Sequence, residues 1–225
     1  MRNRWLVGTL GAAILVLCAP PGRAVAQPQE LPAKIVTLAG RAELSRRSAP
    51  AWAAAALRDE LLDGDGVRTL GGRLTLRMAS GQVLRLGPRT QVFFAGGAAP
   101  AEGGPTRARM DGGRLWMSVL PNSPVSTHIQ LRAGPVTVTA GGGGAGITVN
   151  PDGSVLVGAY HGSVACAGAG WARALAEDQE LLVPAGEAPK KDVVKLKRDK
   201  RDAGWLKWNE QQDLAGGYGS RRVEK

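Results

Sequence analysis

The reading of this chain turns on Gly64-Asp65-Gly66-Val67-Arg68-Thr69, which runs into Leu74-Thr75-Leu76-Arg77-Met78 and then Ser80-Gly81-Gln82-Val83-Leu84-Arg85-Leu86. The stretch predicts a tight turn, a short strand, a second turn and a second strand. Glycine supplies positive φ in the turn, and Asp65 is placed to bridge it through its backbone. Arg68 is positioned to pair with Asp65 or Asp63 across that turn. Leu74, Leu76 and Met78 alternate with Arg73, Thr75 and Arg77, so one face is buried and one is wet.

The pattern continues outward in both directions. Ile35-Val36-Thr37-Leu38 opens a β region, and Gly87-Pro88 turns the chain before Gln91-Val92-Phe93-Phe94. Residues 96–106 are rich in Gly, Pro and Ala and predict an exposed loop. Asp111-Gly112-Gly113 predicts a hairpin turn before Leu115-Trp116-Met117-Ser118-Val119, which Pro121 and Pro124 close. Val136 to Thr139 follows, then a glycine run at 141–144. Ile147 to Val149 and Val155 to Val157 flank Pro151-Asp152-Gly153, the strongest hairpin signal in the chain. Val164 to Cys166 and Leu181 to Val183 complete the body. Residues 52–62 (WAAAALRDELL) admit one or two helical turns. No internal repeat of fixed length is evident.

The N-terminus has the order of a secretory signal peptide. Arg2 and Arg4 precede an uncharged apolar run from Trp5 to Cys18, and Ala24-Val25-Ala26 precedes Gln27 as a small-x-small cleavage site. The run is about 14 residues, short of the ~20 that a membrane span needs. Cleaved export is expected. Cys18 leaves lipidation as a second outcome, although Leu17 holds a place where lipid attachment favours a small residue. Residues 27–32 read as a short lead.

Export leaves 199 of the 225 residues, enough for one ordinary domain and a tail. Cys166 is then the single cysteine. It cannot form an internal disulfide and is expected to be a buried small apolar side chain, with an intermolecular bridge as the alternative. The chain holds 29 Lys+Arg and 19 Asp+Glu, a net charge of +10. The signal peptide holds three arginines and no acid, and residues from 190 onward hold 11 basic and six acidic residues. The basicity therefore belongs mainly to the tail.

In order, these elements resemble the FecR-type domain, an exported bacterial all-β module. The matching pieces are Gly64 to Thr69, Leu74 to Met78, Ser80-Gly81, Leu86-Gly87-Pro88, Gly113-Arg114-Leu115-Trp116-Met117, Ile147 to Val149, Asp152-Gly153, Val155 to Val157 and Gly162-Ser163-Val164. They span roughly residues 33–187. Two departures stand out. Glycines and Gly146-Ile147 occupy the place where the family often has Gly-Thr. The best-known relatives also carry a cytoplasmic sigma-factor-binding segment and a transmembrane helix before the β module, whereas this sequence opens on a signal peptide. What the resemblance implies is the exported module, which in those relatives contacts partner proteins.

The expected organisation is a signal peptide (1–26), an all-β FecR-like domain (33–189) and a basic C-terminal extension (190–225). The fold is expected to be one domain of many short strands, a sandwich, a roll or solenoid-like. In the extension, Val193, Val194, Leu196, Trp205, Leu206, Trp208 and Leu214 lie among many charges. Helix is plausible there, weakened by Gly204, and Gly216 to Ser220 is expected to be disordered.

No catalytic constellation is evident, and none of the sequence asks for a cofactor. His128 and His161 are too few and too far apart for a metal site. Asp63 and Asp65 lack the rest of a calcium loop. No Gly-x-Ser-x-Gly elbow is present, and no Gly-Lys-Ser/Thr closes the glycine run as a phosphate loop. A non-enzymatic binding role is therefore expected, for a protein or an envelope component; a structural role in the envelope or a surface assembly is the alternative. Nucleic acid is not an expected partner of an exported chain.

The motif turn (Gly64, Asp65, Val67, Arg68, Thr69) reads first as structural. The tail supplies the candidate contacts Lys195, Lys197, Arg198, Lys200, Arg201, Trp205 and Trp208. Three readings stay open for it: electrostatic attachment to an anionic surface, a partner-binding helix anchored by the tryptophans, and a linker with a tryptophan latch on the body.

Overall fold

The computed structural model describes residues 33–95, 105–121, 129–190, 192–197 and 203–219. The signal peptide with Cys18, the lead at 27–32, the loop at 96–104, Pro124, His128, Arg198, Lys200 and Arg201 lie outside the described residues. The fold is all-β, with fifteen strands in one continuous hydrogen-bonded sheet and a single helix among the described residues.

Three strands are much longer than the sequence suggests. β1 (Ala33–Arg46), β4 (Gly66–Met78) and β7 (Thr106–Val119) run 13 or 14 residues each. β1 and β4 pair antiparallel from Ala33↔Met78 to Ser45↔Gly66. Each long strand bends at glycine: Gly40 in β1 lies opposite Gly72 in β4, and β7 bends at Gly113. All three glycines have positive φ, which side-chain-bearing residues adopt only under strain. A Cβ on Gly72 would lie 1.9 Å from the Ala39 carbonyl oxygen. Two sequence expectations change here. Val67, Arg68 and Thr69 are strand rather than turn, and Asp111-Gly112-Gly113 bends one strand rather than joining two. A local Gly-Gly signal cannot distinguish a hairpin from a bend when both flanks find partners elsewhere.

The bend lets each long strand serve two sets of neighbours. The first part of β4 pairs with β6 (Gln91–Phe94) and the last part with β5 (Val83–Leu86). The first half of β7 lies between β6 and the parallel strand β8 (Ile129–Ala133). Its second half lies between β5 and β10 (Gly143–Val149). From this hub the sheet runs one way through β8, β9 (Val136–Ala140) and β12 (Val164–Gly168) to β13 (Trp171–Leu175). The other way it runs through β10, β11 (Val155–Ala159) and β14 (Gln179–Val183) to β15 (Val194–Lys195). The hairpin at Pro151-Asp152-Gly153 forms as expected, with the Ser154 N–H donating to Asp152 Oδ1 at 2.9 Å.

Residues 52–62 are not helical. β2 (Ala49–Ala54) pairs with the end of β1, and β3 (Glu60–Leu61) pairs with its start. Pairing overrides the helix propensity of the alanine run.

The curled sheet wraps a single apolar core that includes Ile35, Leu61, Leu74, Leu76, Phe94, Met110, Ile129 and Val157. Cys166 is part of it, 1% exposed, and burial pushes its thiol pKa up to about 12.

Around the second half of β7 the sheet is covered on both faces. Leu115, Met117 and Val119 face the core, as do Leu84 and Leu86 of β5 and Ala145 and Ile147 of β10. The opposite face carries Arg85, Trp116 and Ser118, with Gly144 and Gly146 beside them in register. It is covered by α1 (Ala203–Gly216), which is why these runs are buried throughout rather than in alternation.

Two outcomes test this architecture. Gly72→Ala is expected to cost about 3 kcal/mol from strain and the Ala39 collision. Gly71→Ala, whose Cβ would meet nothing within 4 Å, should stay within about 0.5 kcal/mol; urea unfolding of both variants measures the contrast. Cys166 in the folded protein should resist iodoacetamide at mildly alkaline pH and be alkylated rapidly once denaturant is added, as read by mass spectrometry.

Candidate functional site

Gly64 has φ 89°, and the residues that follow it are held by the body. Asp65 is buried, and its side chain accepts three hydrogen bonds: from Arg46 Nη1 at 2.9 Å, the Arg47 N–H at 2.9 Å and the Leu62 N–H at 3.0 Å. Burial alone would push its carboxyl up, but the Leu62 and Arg47 N–H groups and the Arg46 cation outweigh burial and hold it below the ordinary value. Gly66 leaves room for the Phe93 ring, 2.5 Å from where its Cβ would stand. Val67 is fully buried. The Thr69 hydroxyl donates to the Gly87 carbonyl at 2.6 Å and accepts from the Thr90 N–H at 3.0 Å.

Arg68 does not pair across the turn with Asp65 or Asp63. Its partner is Glu43 on the adjacent strand, at 2.6 Å, and its guanidinium stacks 4.3 Å from the centre of the Trp52 ring. The reason is the pleat. Arg68 lies directly opposite Glu43 in the β1–β4 register, whereas Asp65 turns inward.

The tail is docked on the body. β15 adds to the edge of β14, and the exposed Lys195 and Lys197 flank the buried Leu196. The Lys197 backbone N–H donates to Glu180 Oε2 at 3.0 Å. Trp205 and Trp208 are half-buried and lie 5.5 Å apart. Arg73 lies 4.7 Å from the Trp208 ring centre and Arg114 lies 5.9 Å from that of Trp205, so the tryptophans rest against arginines of the body.

Sequence reasoning missed the centre of this contact. Leu206, Asn209 and Asp213 form the buried face of α1, at i, i+3 and i+7. Asp213 is fully buried: its Oδ1 accepts from Arg85 Nη1 at 2.7 Å and the Ser118 hydroxyl at 2.6 Å, and its Oδ2 accepts from Trp116 Nε1 at 2.8 Å. Gly144 supplies the space, since a Cβ there would lie 2.7 Å from Asp213 Oδ2. Trp116 stacks 4.5 Å from Tyr160, and Leu196 and Leu206 complete a second, smaller apolar cluster.

The end of α1 is also fixed. Gly217 has φ 77°, and the Tyr218 N–H donates to the Asp213 carbonyl at 2.9 Å, a Schellman closure. Tyr218 is buried, and its hydroxyl donates to the Gly81 carbonyl at 2.7 Å. Residues 216–219 are thus ordered, against the expectation of disorder. Gly204 sits in the first turn, where its cost is smallest. The available signals were Arg85 inside an otherwise apolar strand and the Gly-Gly-Tyr after the helix.

A third feature is an open edge. Among the described residues β13 pairs with β12 alone, and Ala172, Arg173 and Ala174 are exposed along it. Beside it lies a groove of about 540 Å³, lined by Arg132, Thr137, Ala167, Gly168, Trp171 and Glu187 among others. Arg132, Thr137 and Ala167 stand in one cross-strand row on the outer face.

Asp65→Asn is expected to cost about 2 kcal/mol at neutral pH, because a charged acceptor of three bonds becomes a neutral one. Asp65 has a depressed folded pKa, so its contribution is complete above the ordinary value of 3.8 and is lost as pH falls through the lower folded value. Urea midpoints of wild type and variant should therefore converge below pH 3.8 and stay apart above it.

No family model matches the chain, and no curated protein does. Among solved structures, two crystal structures of a candidate anti-sigma factor from Parabacteroides distasonis ATCC 8503 are similar, one at 2.50 Å and one at 1.65 Å resolution. They give TM-scores of 0.49 and 0.48 at 15% identity, covering 68% and 67% of this chain and 74% and 73% of that one.

Proposed function

We propose that this chain is an exported, non-enzymatic, FecR-like binding module whose β body recognises a protein of the cell envelope by strand addition along β13. The observation that carries the reading is the open edge of β13 beside the Trp171 groove. An incoming extended segment gains main-chain hydrogen bonds from the edge, and alternate side chains drop towards the groove between Arg132 and Glu187. Other edges are blunted: β2 carries Pro50, and β15 is two residues long and carries Lys195. β13 has neither proline nor lysine. The export assignment rests on the N-terminal sequence, and the family assignment on the ordered motif set.

Trp205 and Trp208 are half-buried against arginines of the body, which favours the β edge over the tail as the contact surface. Lys195 and Lys197 remain exposed, but Lys195 belongs to the paired β15 and the Lys197 N–H is held by Glu180.

A photo-cross-linker at the exposed position 173 in the full chain, activated in intact cells, tests the proposal. A discrete adduct with one envelope protein is expected, and Ala172→Lys with Ala174→Lys should reduce it at least tenfold, because edge lysines oppose strand pairing. Adducts of the chain with itself alone would support the structural-component reading instead. Absence of an adduct, or an adduct indifferent to the lysines, would also overturn the proposal.

A further inference from the structure

We propose that the sheet face beneath α1 is a carboxylate-reading, helix-binding socket which this chain fills with its own tail. A partner protein presenting a helix with a leucine and an aspartate seven residues apart on one face would enter it by displacing α1. This socket lies on β5, β7 and β10, away from β13, and the inference does not depend on strand addition.

The chemistry of the socket is specific. Three donors, from Arg85, Ser118 and Trp116, converge on the two oxygens of one carboxylate. The side chains of the ion pair are 5% and 0% exposed. A guanidinium buried in a sheet face needs an anion, because removing one member of such a pair strands the other charge out of water. The floor is cleared for a helix by glycine. A Cβ on Gly144 would meet Trp116 and Asp213, and one on Gly146 would lie 2.8 Å from Tyr160. Leu196 and Leu206 form the apolar wall.

The present occupant is held by that carboxylate, by Leu206 and by the Tyr218 hydroxyl on the Gly81 carbonyl. α1 has 14 residues and, among the described residues, no acid in its first turn and no base in its last. A helix of that length is marginal alone. Its buried face holds one apolar side chain, Leu206, beside two polar ones. Asn209 is fully buried and donates to the Trp205 carbonyl at 2.9 Å, yet its Oδ1 accepts no hydrogen bond among the described residues. That is a recurrent cost which a different helix can avoid by placing an apolar residue there. The tryptophan–arginine stacks lie at the half-exposed rim. The strictest demand of the socket is therefore the carboxylate that answers Arg85.

The test uses the full chain and a synthetic peptide of residues 203–219. In Asp213→Ala, α1 amides should exchange hydrogen rapidly while those of β5, β7 and β10 keep their protection. The peptide should bind this variant at least about a hundredfold more tightly than wild type, whose own tail competes. A peptide carrying alanine at position 213 should lose about a hundredfold, the scale of stranding a buried charge. Protected strands with no peptide binding would overturn the inference. If Asp213→Ala fails to fold, Trp205→Ala with Trp208→Ala loosens the rim and leaves the socket intact. In that variant α1 should exchange ahead of the sheet and the peptide should compete. Exchange of helix and sheet together in both variants would show α1 to be an inseparable part of the fold and would sink the proposal.

Discussion

The constraint on which much of this structure depends is the burial of Arg85. A guanidinium placed in a sheet strand otherwise built of valine and leucine is costly unless every donor and the charge are answered. The answer comes from 128 residues away, as the carboxylate of Asp213. Other choices follow from it. Position 118 is serine, so that a hydroxyl can join the pair. Position 116 is tryptophan, whose N–H satisfies the second carboxylate oxygen. Position 144 is glycine, because nothing larger leaves space for Asp213. The helix ends where Tyr218 can reach the Gly81 carbonyl. One buried charge thus determines the composition of three strands and the position of a helix.

The glycine-bent strands do a different task. By serving two sets of neighbours, β1, β4 and β7 curl a continuous sheet around one core without a second domain. The bends fix how far β8, β9, β12 and β13 extend from the hub, and so where the sheet ends. Among the described residues the sheet ends on β13, an edge with neither proline nor lysine, whose position the bends set.

Much of the β pattern was legible in the sequence because it depends on local periodicity. Leu74 to Met78, Val83 to Leu86, Val155 to Val157 and the Asp152-Gly153 hairpin carry their structure in their spacing and turn chemistry. The failures are cases where distant partners decide. Ala53 to Ala56 favour helix locally, but Leu44 and Glu43 of β1 claim that stretch for β2 or its exit. Asp111-Gly112-Gly113 looks like a turn until both halves of β7 find neighbours. The contact face of α1 was unreadable as an amphipathic stripe, since its buried positions are Leu206, Asn209 and Asp213. Its complement, Arg85, gives no sign in the sequence of which distant carboxylate it meets. Polar recognition inside a protein leaves a weaker trace in hydrophobic patterning than apolar packing does.

The sequence separations in the Asp213 contact also set an order of events. Arg85, Ser118 and Trp116 stand 128, 95 and 97 residues before the aspartate they bind. The pocket exists only after β5, β7 and β10 have paired, and loop closure over such lengths is slow relative to local hairpins. The helix is therefore expected to join last, and its arrival removes the Arg85 guanidinium from water. Until then a newly made chain displays a cationic, tryptophan-lined surface, and the docking of α1 marks the moment at which maturation of the body is complete.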